Sequence, residues 1–357
     1  MDSSIKHRDS NLELYRIIVM ILIVANHYVT NSGLIGVMNQ APTAMKSLYL
    51  YFLGMWGKTG INCFVLITGY FMCQSRITLR KFTKLLLWVL FYNLVIYLLF
   101  VGFGYCDFTL GSFFSAALPI KEIRGDFTSC FFVFFLTIPF MNILVRNMTK
   151  RQHFWLLVLC LSVYTVWAQV PYINVSLNYV VWFDVIFLIA SYIRLHSDLD
   201  QLGHRKWGWI TLGAVFLAFL SVLAFIYAGH PELAFYFVTN SNAIFAVLVS
   251  VCSFMFFKTL PLKYHAWINA AGASTFGVLL IHSNSDAMRQ WLWKDTLDNV
   301  GHYAGNIYLH SIVCILGVFV ICIIIDRLRL RYIERPLFKV LDKYMSKINN
   351  RLPLRWT

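Results

Sequence analysis

Long apolar runs recur along almost the whole chain and limit the possible folds strongly. The chain has 357 residues, of which 59% are hydrophobic and only 13% are charged. A soluble domain usually has about 45–50% apolar and about 25% charged residues. About 20 consecutive apolar residues are enough for a helix to cross a bilayer. The sequence therefore predicts an all-α, polytopic membrane protein rather than a soluble protein with one anchor.

Ten such runs can be recognised between short polar connections. They cover residues 12–31, 48–72, 84–103, 128–146, 153–169, 179–195, 208–228, 234–257, 266–283 and 306–326. We find no internal repeat and no low-complexity linker among them. The sequence thus predicts one integral-membrane domain over residues 1–357, with about ten transmembrane helices.

The basic residues predict how these helices cross the membrane. Cytoplasmic loops are enriched in Lys and Arg. With both termini in the cytoplasm, most of the 30 Lys and Arg residues fall in cytoplasmic segments. The extracytoplasmic segments then contain only Lys46, Lys58, Lys121, Arg124, Arg289 and Lys294. Topology in a cell membrane (an inner or plasma membrane) thus accounts for the net charge of +14, and we predict no nucleic-acid partner.

The first run contains two side chains that are costly in a membrane. Arg16 and His27 frame the stretch "RIIVMILIVANH". Eleven residues at about 1.5 Å each put them about 16 Å apart along a helix, on nearly the same face. Lipid is unfavourable for both groups, so this face is expected to line a protein interior or a water-filled cavity. Alternatively, Arg16 reaches the inner interface and His27 bonds a neighbouring helix.

Four further stretches accompany this pair along the chain. They are "NCFVLITGYFMCQSR" (Asn62–Arg76), "FFLTIPFMN" (Phe134–Asn142), "STFGVLLIHSN" (Ser274–Asn284) and "RYIERPL" (Arg331–Leu337). Together with Arg16 and His27, this set resembles acyltransferase family 3, the membrane-bound acyltransferases that O-acetylate bacterial cell-surface polysaccharides. The resemblance covers nearly the whole chain.

The resemblance implies an O-acyltransferase of polysaccharide biosynthesis. It would move an acyl group, usually acetyl, from cytoplasmic acyl-CoA to a hydroxyl of a surface polysaccharide or its lipid-linked precursor, and polysaccharide-assembly proteins are possible partners. His27 is expected to be the general base, because an imidazole with an ordinary pKa of about 6.5 titrates near working pH. Arg16 is expected to hold a phosphate or pantetheine oxygen of the donor, or to orient the site.

The resemblance also indicates where the donor binds. Family members often carry a basic R/K-x-x-R motif near the third helix, and the nearest match here is Lys81-x-x-Lys84, preceded by Arg80. These three residues are expected to bind the phosphates of acyl-CoA. Lysine lacks the planar fork of arginine, which weakens this assignment, and topology alone also accounts for basic residues at this position.

Four residues of the predicted outer half are candidates for a supporting role. His282 lies toward the same side as His27 and either shares its site or bonds to backbone. Asp184 is a carboxylate within a span and needs a partner, for which His27 is one candidate. Trp291 and Trp293 are expected to anchor the chain at the membrane interface. Stacking of these rings on an acceptor sugar is the alternative.

Two further sets of residues complete the predictions. Glu334 and Arg335 are expected to pair and to anchor the last helix rather than to take part in catalysis. The remaining histidines have no ligand-like spacing and the eight cysteines contain no CxxC pair, so we predict no metal site.

Two other classes of protein fit part of the sequence. A transporter or flippase for a glycan or an acyl group would also need many spans around a cavity. Ion-coupled transporters usually contain several membrane-embedded acids, and here Asp184 is nearly alone. A purely structural subunit would not need Arg16 and His27 on one face. Acyl transfer by a His27→Ala variant separates the enzyme from both alternatives.

Overall fold

The computed structural model describes residues 10–351, with side chains through residue 343. Within these residues the chain is helical and contains no strand. The α-helices are α1 (Ser10–Thr30), α2 (Leu34–Gln40), α3 (Met45–Gly54), α4 (Gly57–Met72), α5 (Leu79–Gly102), α6 (Leu110–Ala117), α7 (Phe127–Asn147), α8 (Lys150–Leu161), α9 (Tyr179–His196), α10 (Gly203–Tyr227), α11 (Ile244–Thr259), α12 (Ala266–Gly272), α13 (Thr275–His282), α14 (Asp286–Gln290), α15 (Ile307–Arg329) and α16 (Arg335–Arg351). The all-α prediction is confirmed.

Seven helical segments of the described chain are long and apolar enough to cross a membrane. They span Ser10–Thr30, Met45–Met72, Leu79–Gly102, Phe127–Asn147, Tyr179–His196, Leu199–Tyr227 and Ile307–Lys343. The membrane character is therefore supported, whereas the predicted count of about ten is not. The other three predicted runs form shorter or interrupted helices, because α8 and α11 are short and the run 266–283 divides into α12 and α13.

The segment before α11 departs most from the sequence prediction. The apolar run was predicted to be helical from residue 234, but α11 begins only at Ile244, after a 3₁₀ turn at Pro231–Leu233 and further turns. The Asn62 side chain donates to the Ser241 carbonyl at 2.6 Å, and the Asn242 side chain donates to the Tyr164 carbonyl at 2.6 Å. Irregular backbone at membrane depth is tolerated where protein buries it or where it lines a cavity.

Helix α1 lies at the centre of the bundle. It packs against α3, α4, α11, α12, α13 and α15. Its contact with α4 is close because α4 presents glycine there. A Cβ atom at Gly57 would lie 2.2 Å from Asn26 Oδ1, and one at Gly60 would lie 2.5 Å from Ile23 Cγ1. Small residues at helix crossings in membranes allow such backbone approach, and here they bring α4 against the half of α1 that carries His27.

A chain of polar contacts fastens α15 to α5 at the end of the bundle that is rich in basic residues. Asp326 Oδ1 accepts from the Tyr92 hydroxyl at 2.9 Å and from Arg329 Nε at 2.9 Å. Arg329 Nη1 lies 2.7 Å from Glu334 Oε2, and Lys84 Nζ lies 2.6 Å from Glu334 Oε1. Asp326, Arg329 and Glu334 are all buried, so each charge is stabilised by its neighbours rather than by water.

The predicted pair of Glu334 and Arg335 is not what anchors the last helix. Glu334 is buried and bonds to Lys84 and Arg329, whereas Arg335 is exposed. Successive residues of a helix point about 100° apart, so Glu334 and Arg335 face different directions. The anchoring role belongs to Glu334 together with cations from other turns and from α5.

Candidate active site

A cavity of about 640 Å³ lies beside the C-terminal half of α1. Its wall is formed by α1, α4, α5 and α13, by the connection that leads into α7, and by the irregular segment before α11. The polar and charged residues of this wall are Asn26, His27, Thr30, Asn31, Lys58, Asn93, Lys121, Glu122, Asp126, Thr128, Ser129, Thr239, Ser283, Asn284 and Arg289. The volume falls within the range of ligand pockets, about 300–1,000 Å³.

Two histidines meet at this cavity. His27 Nδ1 lies 2.9 Å from His282 Nε2, which is hydrogen-bonding distance. The His282 ring is fully buried, and its Nδ1 lies 2.6 Å from the Val278 carbonyl oxygen one turn back in α13. His27 lines the cavity and His282 stands behind it. We expected His282 either to share the site of His27 or to bond to backbone, and the structure shows both contacts.

The hydrogen bonds of this pair determine which nitrogen of His27 is basic. The Val278 carbonyl can only accept, so His282 Nδ1 carries a proton, and in the neutral ring Nε2 is then an acceptor. His27 must therefore donate its Nδ1–H to His282. The second nitrogen of His27, Nε2, keeps its lone pair. A neutral imidazole on a cavity wall, held in this tautomer, is suited to accept a proton from a ligand hydroxyl.

Trp293 is buried against the histidine pair. Its ring is fully buried and makes edge contacts with His282, at a centroid distance of 6.3 Å, and with Tyr28, at 6.1 Å. Trp293 therefore stabilises the position of His282, and neither interfacial anchoring nor stacking on a sugar describes its surroundings. Trp291 lies on the surface, 38% exposed, and packs on Phe100 at 5.8 Å.

Asn93 is a wall residue that the sequence analysis did not single out. It lies in the middle of α5, is 8% exposed, and lines the cavity. Its Oδ1 accepts a hydrogen bond from Asn284 Nδ2 at 3.1 Å, which fixes the direction of the amide. The Asn93 NH₂ group therefore remains as a donor. An asparagine inside an apolar helix of 24 residues was a usable signal, because polar groups in spans are costly and usually have a role.

Three basic residues of the cavity wall were considered in the sequence analysis only as charges of extracytoplasmic segments. They are Lys58, Lys121 and Arg289. Lys58 Nζ bonds to the Tyr179 hydroxyl at 2.7 Å, and Arg289 pairs with Asp286 at 2.7 Å. These residues lie among the few cations of the predicted extracytoplasmic segments, and the structure gathers them around one cavity. Their separation along the chain left no local pattern from which this grouping could be recognised.

Arg16 and Asp184 lie apart from the histidine pair. Arg16 Nη1 lies 3.3 Å from Glu13 Oε1 in the preceding turn, and Arg16 is not among the residues that line the cavity. From the shared helical face we expected one cavity to reach both Arg16 and His27. This cavity reaches only His27. The Asp184 carboxylate accepts from Thr137 Oγ1 at 2.7 Å. The partner of His27 is accordingly His282 rather than Asp184.

The three predicted donor-binding residues lie at the start of α5, and each has a partner within the protein. Arg80 makes two hydrogen bonds to Asp342, at 2.8 and 3.0 Å, and Lys84 pairs with Glu334. Lys81 Nζ bonds to Ser75 Oγ at 2.7 Å and to the Arg76 carbonyl at 2.9 Å. Because these two partners of Lys81 are neutral, its charge is less compensated than those of Arg80 and Lys84.

A family model described as an acyltransferase domain matches residues 9–327, which is nearly the whole chain. No curated protein and no solved structure matches it. The match includes both histidines of the site, and it ends one residue after Asp326 of the buried polar chain.

Proposed function

Since this chain belongs to acyltransferase family 3, we propose that it is a membrane-bound O-acyltransferase that moves an acyl group, acetyl in the simplest case, from acyl-CoA to a hydroxyl of a surface polysaccharide or its lipid-linked precursor. The observation that carries the proposal is the contact between His27 and His282 on the wall of a cavity. The contact fixes the tautomer of the proposed base, and the cavity provides room for an acceptor.

The proposed reaction begins with the acceptor hydroxyl bonded to His27 Nε2. The hydroxyl proton moves to Nε2 as the oxygen attacks the thioester carbonyl carbon and forms a new C–O bond. The tetrahedral intermediate then collapses, the C–S bond breaks, and the imidazolium returns its proton to the sulfur. The products are an ester and the free thiol of CoA. His282 favours this sequence because it accepts the Nδ1–H of His27 throughout and thereby stabilises the imidazolium.

A donor is needed for the negative charge that develops on the thioester oxygen. We assign this role to the Asn93 amide, whose oxygen is already held by Asn284, so that its NH₂ group is oriented before the substrate arrives. Oriented dipoles in a site shielded from water stabilise a developing oxyanion strongly, because they need not reorganise during the reaction. Lys58 and Arg289 add positive potential to the same wall.

The donor is proposed to bind with its phosphates at the basic end of the bundle. CoA carries several negative charges, which favour Arg and Lys. Among Arg80, Lys81 and Lys84, Lys81 is the best candidate because its bonded partners are neutral, whereas Arg80 and Lys84 are paired with Asp342 and Glu334. Arg16, which pairs with Glu13 and does not line the cavity, would act by orienting α1.

The experiment that tests the function uses purified full-length protein, labelled acetyl-CoA, and polysaccharide from cells that lack the gene. The wild-type protein is expected to transfer label, and His27→Ala is expected to lower the rate by about 10²–10⁴-fold, the usual contribution of a general base. Thermal unfolding of both proteins checks that the variant is folded. Unchanged transfer by a folded His27→Ala protein would overturn the role given to His27, and absence of transfer by the wild-type protein would favour a transporter. Mass spectrometry of the surface glycan from the deletion strain should show loss of the acyl group.

A further inference from the structure

A second cavity, of about 300 Å³, adjoins the candidate active site. Ile35, Phe235 and Thr239 line both cavities. The wall between them consists mainly of the irregular segment before α11 rather than of packed helices. The two cavities therefore lie side by side along one segment, and of the two His27 lines only the first.

The lining of the second cavity is rich in amide and hydroxyl groups. It includes Asn39, Gln169, Asn240 and Tyr236. Asn39 Oδ1 accepts from the Tyr51 hydroxyl at 2.6 Å, which leaves the Asn39 NH₂ group as a donor. The Gln169 side-chain oxygen is buried and has no hydrogen-bond partner among the described residues.

Aromatic rings complete this wall. Tyr236 is 37% exposed, its hydroxyl donates to the Gln169 carbonyl at 3.1 Å, and the Phe235 ring packs on Tyr51 at a centroid distance of 5.5 Å. A sugar presents hydroxyls, which both donate and accept, around a ring whose faces are apolar C–H groups. Amides, phenols and aromatic faces match that chemistry. Glu232 is the carboxylate of this lining, so an anionic ligand is not favoured here.

We propose that the second cavity is a glycan subsite, in which sugar units next to the acylated one are bound while the acceptor hydroxyl reaches His27. This proposal rests on the proposed function. It predicts that the acceptor is an extended oligosaccharide or polysaccharide rather than a single sugar. The chain would run from the cavity beside α1, past Phe235 and Thr239, and over Asn240 toward solvent.

Blocking the second cavity tests the proposal. Ala168→Trp places a large side chain in this cavity, and Ala168 does not line the cavity that contains His27. Ala228→Trp is the matched control, because Ala228 is exposed and lines a separate apolar groove between α10 and α11. Asn240→Ala is a milder second variant that removes a polar group from an exposed turn, so folding is not at risk.

The assay compares acceptors of different length. Unacylated polysaccharide from cells that lack the gene is hydrolysed to fragments of one sugar unit and of several units, and KM and kcat are measured for each. For long fragments, Ala168→Trp is expected to raise KM by more than tenfold, and Asn240→Ala by about fivefold, as loss of one hydrogen bond predicts. For single units, both variants should match the wild-type protein. Ala228→Trp should leave both values unchanged.

Two outcomes would overturn the subsite. The first is equal KM values for long fragments in the wild-type, Ala168→Trp and Asn240→Ala proteins. The second is an equal loss for single units and long fragments, which would indicate distortion of the active site instead. In either case the wild-type protein still transfers label, so the proposed function survives. If the wild-type protein transfers label to no fragment, the proposed function itself fails.

Discussion

Replacing His282 tests the tautomer argument more directly than replacing His27. In the structure, His282 Nε2 is the acceptor for His27 Nδ1–H. His282→Leu places an apolar side chain in this fully buried position and removes the acceptor. His27 then loses the interaction that holds its proton on Nδ1, and the proton is expected to move to Nε2, where it can bond to water in the cavity. In that tautomer Nε2 can no longer accept a proton from the acceptor hydroxyl.

The size of the effect follows from the buried hydrogen bond. In the variant, a proton on His27 Nδ1 would be a buried donor without a partner, which costs about 1–3 kcal/mol. The tautomer with its proton on Nε2, which cannot act as the base, is favoured by that amount. Each 1.36 kcal/mol corresponds to a factor of about ten, so kcat/KM should fall by about 5- to 150-fold. The loss should be smaller than for His27→Ala, because the base itself is still present in His282→Leu.

The assay uses labelled acyl transfer by purified full-length variants. His282→Gln is the conservative variant, because its side-chain oxygen can accept from His27 Nδ1–H, and it should recover much of the activity. His153→Leu is the matched control: His153 is also fully buried, and its Nε2 bonds to the Leu188 carbonyl at 3.0 Å, away from the cavity. It should reduce thermal stability without a comparable fall in kcat/KM.

Two results would refute this reasoning. One is a His282→Leu protein with wild-type kcat/KM, which would mean that His27 does not depend on its partner. The other is a His282→Gln protein that is folded but as inactive as His282→Leu, which would mean that hydrogen-bond acceptance is not the relevant property of position 282.

Three further predictions concern the oxyanion, the packing and the donor. Asn93→Ala should lower kcat by about 10²–10³-fold with little change in KM. A rise in KM without a fall in kcat would contradict the role given to its amide. Gly277→Ala should destabilise the protein by about 1–3 kcal/mol in thermal unfolding, because its Cβ would lie 2.4 Å from the carboxylate carbon of Asp326. Gly317→Ala is the control and should be close to neutral, because its Cβ would have no atom within 4 Å. Equal effects of the two substitutions would count against the packing argument. Lys81→Ala should raise KM for acyl-CoA about tenfold at low salt with unchanged stability, and an unaltered KM would place the phosphates elsewhere.

Much of the fold could be predicted because hydrophobic runs are local. Each of the seven candidate spans overlaps one predicted apolar run, and helix formation in lipid follows from the need to satisfy the backbone within one segment. The irregular segment before α11 escaped this reasoning. Its apolar residues fit a span. In the structure, however, Asn62 of α4 donates to the Ser241 carbonyl of the segment, and Asn242 of the segment donates to the Tyr164 carbonyl. These bonds hold the segment in an irregular conformation. Such long-range hydrogen bonds do not appear in a hydropathy pattern.

The site was predicted only in part for the same reason. The position of His27 in an apolar run was a local signal, and so was that of His282. The roles of Trp293 and Glu334 depended on which neighbours they meet, and there the sequence led to the wrong surroundings. Asn93 could have been recognised as a polar residue within a span. The grouping of Lys58 and Arg289 could not, because they belong to helices far apart along the chain.

The sequence by itself determined that this chain is a helical membrane protein with a titratable ring in its first span, because lipid imposes a strong and local penalty on every polar group. Only the tertiary structure decided that His27 meets His282, which is 255 residues away, that Arg16 turns to Glu13 instead of the cavity, and that an unwound segment separates two cavities. These features depend on how close α1, α4 and α13 approach, and the packing that sets those distances exists only in the folded bundle.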